Sequence, residues 1–141
     1  MTGGIRELVL RLPLRCEADV AEARRRAREL AQARGLRWSD IEALATALSE
    51  VARNVIVHAG GGEILLGSVS DSGRAGVIAI ASDEGPGISD IEQAMRDGYS
   101  SGDGLGLGLP SAQRLVDEFE LHSVVGQGTR VSLTKWAPAE A

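Results

Sequence analysis

The chain of 141 residues holds one cysteine (Cys16), two histidines (His58 and His122) and, among 15 basic side chains, a single lysine, Lys135. Each scarcity removes a class of chemistry. One thiol cannot form an internal disulfide, and a structural zinc site needs about four Cys/His ligands. A reducing, cytoplasmic setting is the expectation. A P-loop needs a lysine directly after its glycines, and a eukaryotic-type protein kinase needs one on an early strand; Lys135 lies too near the C-terminus for either. Aromatic residues amount to 3%, namely Trp38, Tyr99, Phe119 and Trp136. That is too few for a base-stacking surface, so no nucleic-acid partner is expected. No run reaches the roughly 18 apolar residues of a membrane span, and residues 1–7 lack the basic-then-apolar layout of a signal peptide, so no membrane partner is expected either.

What is present is unevenly placed. The net charge of −5 arises almost wholly in residues 83–120, which carry nine acidic and two basic groups and also hold seven of the 18 glycines, between Gly85 and Gly108. Hydrophobic residues make up 43% of the chain, enough for one core, and no linker or repeat divides it. The expectation is one domain over 1–141, with its core at about 5–136.

Leu8, Leu10, Leu12 and Leu14 alternate as in a strand, and Pro13 marks an edge position. Glu17–Arg34 carries apolar residues at helical spacing and is closed by Gly35. It also begins a cluster of six arginines between Arg24 and Arg37, either a solvated face or a docking patch for an acidic partner. Ser39 and Glu42 form a capping box for a second helix with the stripe Ile41, Leu44, Ala45, Leu48, Val51, Ala52, Val55 and Ile56, ending at Gly60-Gly61-Gly62. Glu63–Ser70 and Ala75–Ser82 read as a hairpin. Ser89 and Glu92 suggest a capping box for a short helix reaching about Met95, and residues 98–104 a loop with little to bury. Pro110 opens a helix predicted to run through Leu115, Val116 and Phe119. Two strands near Leu121–Val125 and Thr129–Trp136 turn at Gly126-Gln127-Gly128. Hairpins separated by helices give an α+β layered domain with helices gathered on one face.

Three constellations carry chemistry. Glu50, Asn54 and His58 lie four apart, a polar row on an otherwise apolar helix. Facing a cleft, Glu50 can polarise a hydroxyl, and Asn54 can offer its carbonyl oxygen to Mg²⁺; facing solvent, Glu50 would pair with Arg53. Ser82-Asp83-Glu84-Gly85-Pro86-Gly87-Ile88 follows an apolar strand, so Asp83 can accept from an exocyclic amine beside a glycine backbone that lets a flat ring approach, or the segment is simply a tight turn. Gly104-Leu105-Gly106-Leu107-Gly108-Leu109-Pro110 precedes a helix, which suits a phosphate cradle built from backbone N–H groups, or a glycine-packed helix entry. Together they supply the parts of an ATP·Mg²⁺ site. With no lysine and two arginines in residues 83–120, phosphate charge falls to Mg²⁺ and backbone amides.

In this order the motifs Glu50-x-x-x-Asn54, Asp83-x-Gly85-x-Gly87 and Gly104-x-Gly106-x-Gly108 resemble the N, G1 and G2 boxes of the GHKL superfamily, the Bergerat-fold ATPases. Ser49-Glu50-x-Ala52-Arg53-Asn54, Asp117-Glu118-Phe119 and the closing Gly126-x-Gly128-Thr129 to Thr134-Lys135-Trp136 are similar to the anti-sigma-type serine/threonine kinases, in particular the RsbT-type switch kinases. The resemblance covers residues 5–136. It implies a two-layer α/β sandwich with a mixed, mostly antiparallel sheet and helices on one face. It also implies roles: Glu50 as general base toward a substrate serine, Asn54 as Mg²⁺ ligand, and Asp83 as reader of the adenine amine with Gly85, Gly87, Ile88 and, through water, Thr129. Gly104, Leu105, Gly106, Leu107, Gly108 and Leu109 would wrap the phosphates under a lid near residues 99–103. The implied activity is phosphorylation of STAS-domain proteins in a partner-switching stress pathway, with binding and activation of a PP2C-type phosphatase. The alternative is an anti-sigma factor that sequesters a sigma factor, with ATP as a conformational ligand.

Overall fold

The computed structural model describes residues 5–90, 95 and 108–138. Five strands form one sheet in the order β1-β2-β3-β5-β4: β1 Ile5–Leu14, β2 Gly62–Asp71, β3 Arg74–Asp83, β4 Glu118–Val124 and β5 Gly128–Trp136. Three helices, α1 Glu17–Ala33, α2 Trp38–Ala59 and α3 Leu109–Leu115, complete the described elements. Each of the described strand pairings is antiparallel. The parallel component that the resemblance implied is absent among the described residues, while the α+β sandwich stands.

β1 takes the edge position that Pro13 announces, and a bulge between Leu8 and Leu10 interrupts its ladder with β2. Beyond that bulge Leu10, Leu12 and Leu14 pack toward the core with Ile64, Leu66, Val77, Ala79 and Ala81, the alternation a half-covered sheet requires. Ser72 and Gly73 join β2 to β3 with positive φ at both turn positions (52° and 81°), the combination whose twist matches that of the flanking strands.

α2 holds the layers together. Ile41, Leu44, Ala45, Leu48, Val51, Ala52 and Val55 are buried as the stripe predicts, against the sheet, α1 and α3. Gly60 ends the helix in the left-handed region at φ 78°, its N–H donating to Ile56 O at 3.0 Å. The helix starts earlier than the expected capping box: Arg37 is the N-cap with no side-chain cap bond, and Glu42 accepts from Arg28 of α1 at 2.9 Å instead. An interhelical ion pair has displaced a local cap. Just before α1, Arg15 donates its backbone N–H to Asp19 at 2.8 Å, which fastens the entering chain to the first turn of the helix.

A second expectation fails at the C-terminal end. The helix from Pro110 stops at Leu115, Val116 is already extended (φ −117°, ψ 166°), and Phe119 belongs to β4. The run Leu115, Val116, Phe119 fits a helix by spacing, but Phe119 and Leu121 alternate with Glu118, Glu120 and His122, and β5 supplies a full ladder for the strand. Asp117 sets the junction by donating its N–H to Thr134 O at 2.9 Å and accepting the Trp136 N–H at 2.8 Å. Lys135 then lies between Asp117 and Asp40, 3.5 and 3.7 Å away, so the lone lysine ties β5 to the start of α2 and to the approach of β4. The helix expected between Ser89 and Met95 and the loop at 98–104 lie largely or wholly outside the described residues.

Leu48 is fully buried at the centre of this core. Leu48→Ala should cost about 2–5 kcal/mol by urea unfolding with the denaturant slope unchanged; a cost below about 1 kcal/mol would show that α2 is not the central packing element.

Candidate functional site

The polar row of α2 turns toward the ends of β3 and β5. Asn54 and His58, together with Val51 and Val55 of the same helix, line a small cavity whose other walls are Asp83, Ile88, Leu109, Thr129 and Val131. Residues from four separate stretches of chain therefore meet in one place. A helix repeat supplies Asn54, the last residue of β3 supplies Asp83, and the register of β5 against β3 sets Thr129 directly opposite Asp83.

Asp83 is held by its backbone surroundings. Its Oδ1 accepts the N–H of Gly85 at 2.9 Å and that of Thr129 at 3.3 Å, and Oδ2 accepts no bond from the described residues. One oxygen fixes the carboxylate and the other is available to a ligand. Gly85 packs so closely that an added Cβ would lie 2.5 Å from the Ala59 Cβ, which presses the turn onto the end of α2. Gly87 adopts φ 79° with the Val124 carbonyl 2.5 Å from where a Cβ would stand, and Gly126 donates to Pro86 O at 2.8 Å. The turn reading of this segment is realised: its glycines are demanded by packing, and Asp83 at its start lines the cavity.

Ser123 of β4 was not singled out by the sequence. Its Oγ accepts the Ile88 N–H at 2.7 Å and stands 2.9 Å from Thr129 Oγ1, which links the turn after β3 to the β4–β5 hairpin. The signal was weak in the sequence because a lone serine in a strand resembles any solvent-facing position; only the register Ser123↔Thr129 gives it a partner.

Glu50, one turn before Asn54, is 39% exposed and sits against Gly108, where an added Cβ would overlap its carboxylate. The helix that follows the glycine-rich segment is thereby tied to the row on α2, with Leu109 and Ala112 buried beneath it. The surface pairing of Glu50 with Arg53 exists only as a 3.9 Å approach. Arg53 is engaged by Glu17 of α1 at 3.0 Å, and this hydrogen bond holds the Glu17 carboxyl below its usual range. Because that carboxyl titrates low, the α1–α2 strap is complete at neutral pH and is lost only as pH falls through the lowered value.

Gly104, Leu105, Gly106 and Leu107 lie outside the described residues, as do residues 99–103 expected to form a lid. Gly108 lies against Glu50, and Leu109 lines the cavity. Among the described residues no group of three His, Cys, Asp or Glu side chains could hold a metal. The side-chain carbonyl of Asn54, on the cavity wall, is an oxygen of the kind a hard cation such as Mg²⁺ takes. A larger cavity, about 600 Å³, is also lined by Asp83 and Thr129, with Glu63, Glu84, His122 and Arg130 and no residue of α2 among its walls. That cavity does not bring Asn54 together with Asp83, as the smaller one does.

Residues 12–135 match the family model described as the histidine kinase-like ATPase domain. The chain is 46% identical over 120 residues to the serine/threonine-protein kinase RsbT of Bacillus subtilis, covering 85% of this chain and 90% of that protein. It is 36% identical over 104 residues to an anti-sigma F factor of Thermoanaerobacter sp. (69% and 71% covered), and 34% identical over 101 residues to that of Caldanaerobacter subterraneus (69% and 71%).

Gly108→Ala forces a side chain into a left-handed backbone (φ 67°) and against Glu50. The substitution should lower phosphoryl transfer at least tenfold while costing about 1–2 kcal/mol of stability; full activity in a radiolabel transfer assay would separate Gly108 from the site.

Proposed function

The chain belongs to the histidine kinase-like ATPase domain family, and from that membership we propose that it is an ATP- and Mg²⁺-dependent protein serine/threonine kinase of the partner-switching type. The observation that carries the reading is the convergence of Asn54, Asp83 and Thr129 on one cavity, with Glu50 and Gly108 in contact beside it. The named activity of the Bacillus relative supports it.

In this reading the adenine enters between Ile88 and Val131, and its exocyclic amine donates to the free oxygen of Asp83. The phosphates extend toward Gly108. Asn54 holds Mg²⁺, which when bound draws charge from the phosphate oxygens. Glu50 is exposed enough for a protein substrate to reach. It accepts the proton of the substrate serine hydroxyl as the serine oxygen bonds to the γ-phosphorus; the bond from that phosphorus to the bridging oxygen breaks, and ADP carries away the electron pair. The protein's contribution is placement of the two reactants and of charge, and no residue of the chain is phosphorylated on the way.

The substrates that fit a chain of this family are STAS-domain proteins, and the second partner is a PP2C-type phosphatase that the kinase binds and activates in the cytoplasm. No helix among the described residues is long and apolar enough to cross a membrane. The anti-sigma F factors among its relatives favour a second reading. In that reading the chain sequesters a sigma factor, and ATP serves to set its conformation.

Two substitutions test the catalytic assignment. Glu50→Ala should reduce labelling of a STAS-domain protein from radiolabelled ATP at least 100-fold with ATP affinity kept within about threefold; unchanged labelling removes Glu50 as general base. Asp83→Asn places an amide where an acceptor is needed and should weaken ATP binding tenfold or more by calorimetry. An unaltered affinity refutes the adenine assignment. For the second reading, capture of a sigma factor by Asn54→Ala protein that no longer phosphorylates a STAS-domain protein favours sequestration.

A further inference from the structure

Arg53 stands between two carboxylates, and the shape of its guanidinium decides which one holds it. An arginine offers its donors along the edges of a rigid plane. Glu17, the first residue of α1, takes the edge formed by Nε and Nη2: Nε donates to Oε1 and Oε2 at 3.3 Å each, and Nη2 donates to Oε2 at 3.0 Å. Nη1 is left toward Glu50, three residues earlier on α2, and stays 3.9 Å from Glu50 Oε1, too far for a hydrogen bond. Because the plane is stiff, fixing one edge fixes the place of Nη1. Glu17 is also well placed to keep this grip. It lies in the first turn of α1, where the helix dipole favours a carboxylate, and the hydrogen bond from Arg53 holds its carboxyl below the usual range.

The consequence falls on Glu50. Among the described residues it is the other carboxylate within 4 Å of Arg53, and residues three apart on a helix are neighbours, so an Arg53 released by Glu17 closes on Glu50. A carboxylate that accepts from an arginine has fewer lone pairs for the proton of a serine hydroxyl, and a guanidinium lying across Glu50 stands where that hydroxyl must come. We propose that Glu17 is a positioning residue for phosphoryl transfer: it grips Arg53 so that the guanidinium does not close on Glu50, and it leaves the Glu50 carboxylate open to the substrate serine. The inference rests on the kinase reading above and deepens it. The pair between α1 and α2 then has a task in the reaction besides joining two helices. Arg53 itself is passive in this account, since its restraint matters to the reaction and its charge does not.

The test measures transfer of label from radiolabelled ATP to a STAS-domain protein by the full chain, for Glu17→Gln, Arg53→Gln and the double variant. Thermal unfolding is recorded for each. The Glu17 side chain is 67% exposed, so a neutral replacement should fold. Glu17→Gln should lower kcat about fivefold, the scale of one exposed arginine–carboxylate pair, with KM for ATP and for the STAS-domain protein unchanged within about twofold. Arg53→Gln should keep kcat within about twofold of wild type, and adding it to Glu17→Gln should restore the lost rate. A pair that only straps the helices behaves otherwise: both single variants and the double variant would lose activity and thermal stability alike. Three results overturn the proposal: Glu17→Gln within about twofold of wild type in kcat, Arg53→Gln as slow as Glu17→Gln, or a double variant no faster than Glu17→Gln. Should Glu17→Gln not fold, Glu17→Ser, whose side chain suits a helix start, carries the same comparison. A wild type that transfers no label refutes the kinase reading itself, an outcome distinct from an active wild type that is indifferent to Glu17.

Discussion

One oxygen of Asp83 accepts two backbone N–H groups, from Gly85 in the turn that follows β3 and from Thr129 at the start of β5's pairing with β3. This shared acceptor is the constraint on which the rest of the site depends. It fastens the turn that follows β3 to the start of β5, and that turn packs onto the end of α2. The neighbouring glycines serve this arrangement: Gly85 admits the contact with Ala59, and Gly87 admits the approach of the β4–β5 hairpin.

α2 works as two surfaces of one rod. The flank bearing Leu44, Leu48, Val51 and Val55 is buried against the sheet and α3, and that burial provides the rigidity. The flank bearing Glu50, Asn54 and His58 would be costly to bury without polar company, and it lies along the cavity and its rim instead. Because both flanks belong to one helix, packing energy holds the polar row in register with Asp83 and Thr129. The ion pairs of Arg53 with Glu17 and of Arg28 with Glu42 lie outside the core and fasten α1 to α2. Being largely exposed, they contribute modestly to stability and chiefly set the angle between the helices.

The negative charge concentrated in residues 83–120 divides by position in the structure. Asp83 belongs to the cavity, whereas Asp117 and Glu118 are spent on Trp136 and Lys135 at the junction of β4 and β5. A region that looks uniformly acidic in sequence therefore includes carboxylates with architectural work far from any ligand. The same junction explains the failure of the helix expected through Phe119. Spacing by three and four admits a helix, but alternation and a waiting partner strand admit β4, and the partner strand decides.

Legibility followed the range of the interaction. The leucine alternation of β1, the stripe of α2 and the hairpin turn at Ser72-Gly73 depend on residues a few positions apart, and each was readable from spacing and residue type. So were Glu50, Asn54 and Asp83 as candidates, because the motifs that contain them are local, whereas Thr129 became one only through the family resemblance. The capping box at Ser39 was local too, yet it lost to Arg28, a residue on another helix whose claim on Glu42 no pattern within α2 records. Ser123 was invisible for the same reason: its importance comes from Ile88, Gly128 and Thr129, and the first of these is brought to it only by the folded turn. The sequence by itself determined which side chains could do chemistry and which helix and strands would carry them, since period and composition act along the chain. Tertiary structure alone decided which of them meet and which oxygen of Asp83 the Thr129 N–H reaches, because those depend on contacts between segments far apart in the chain.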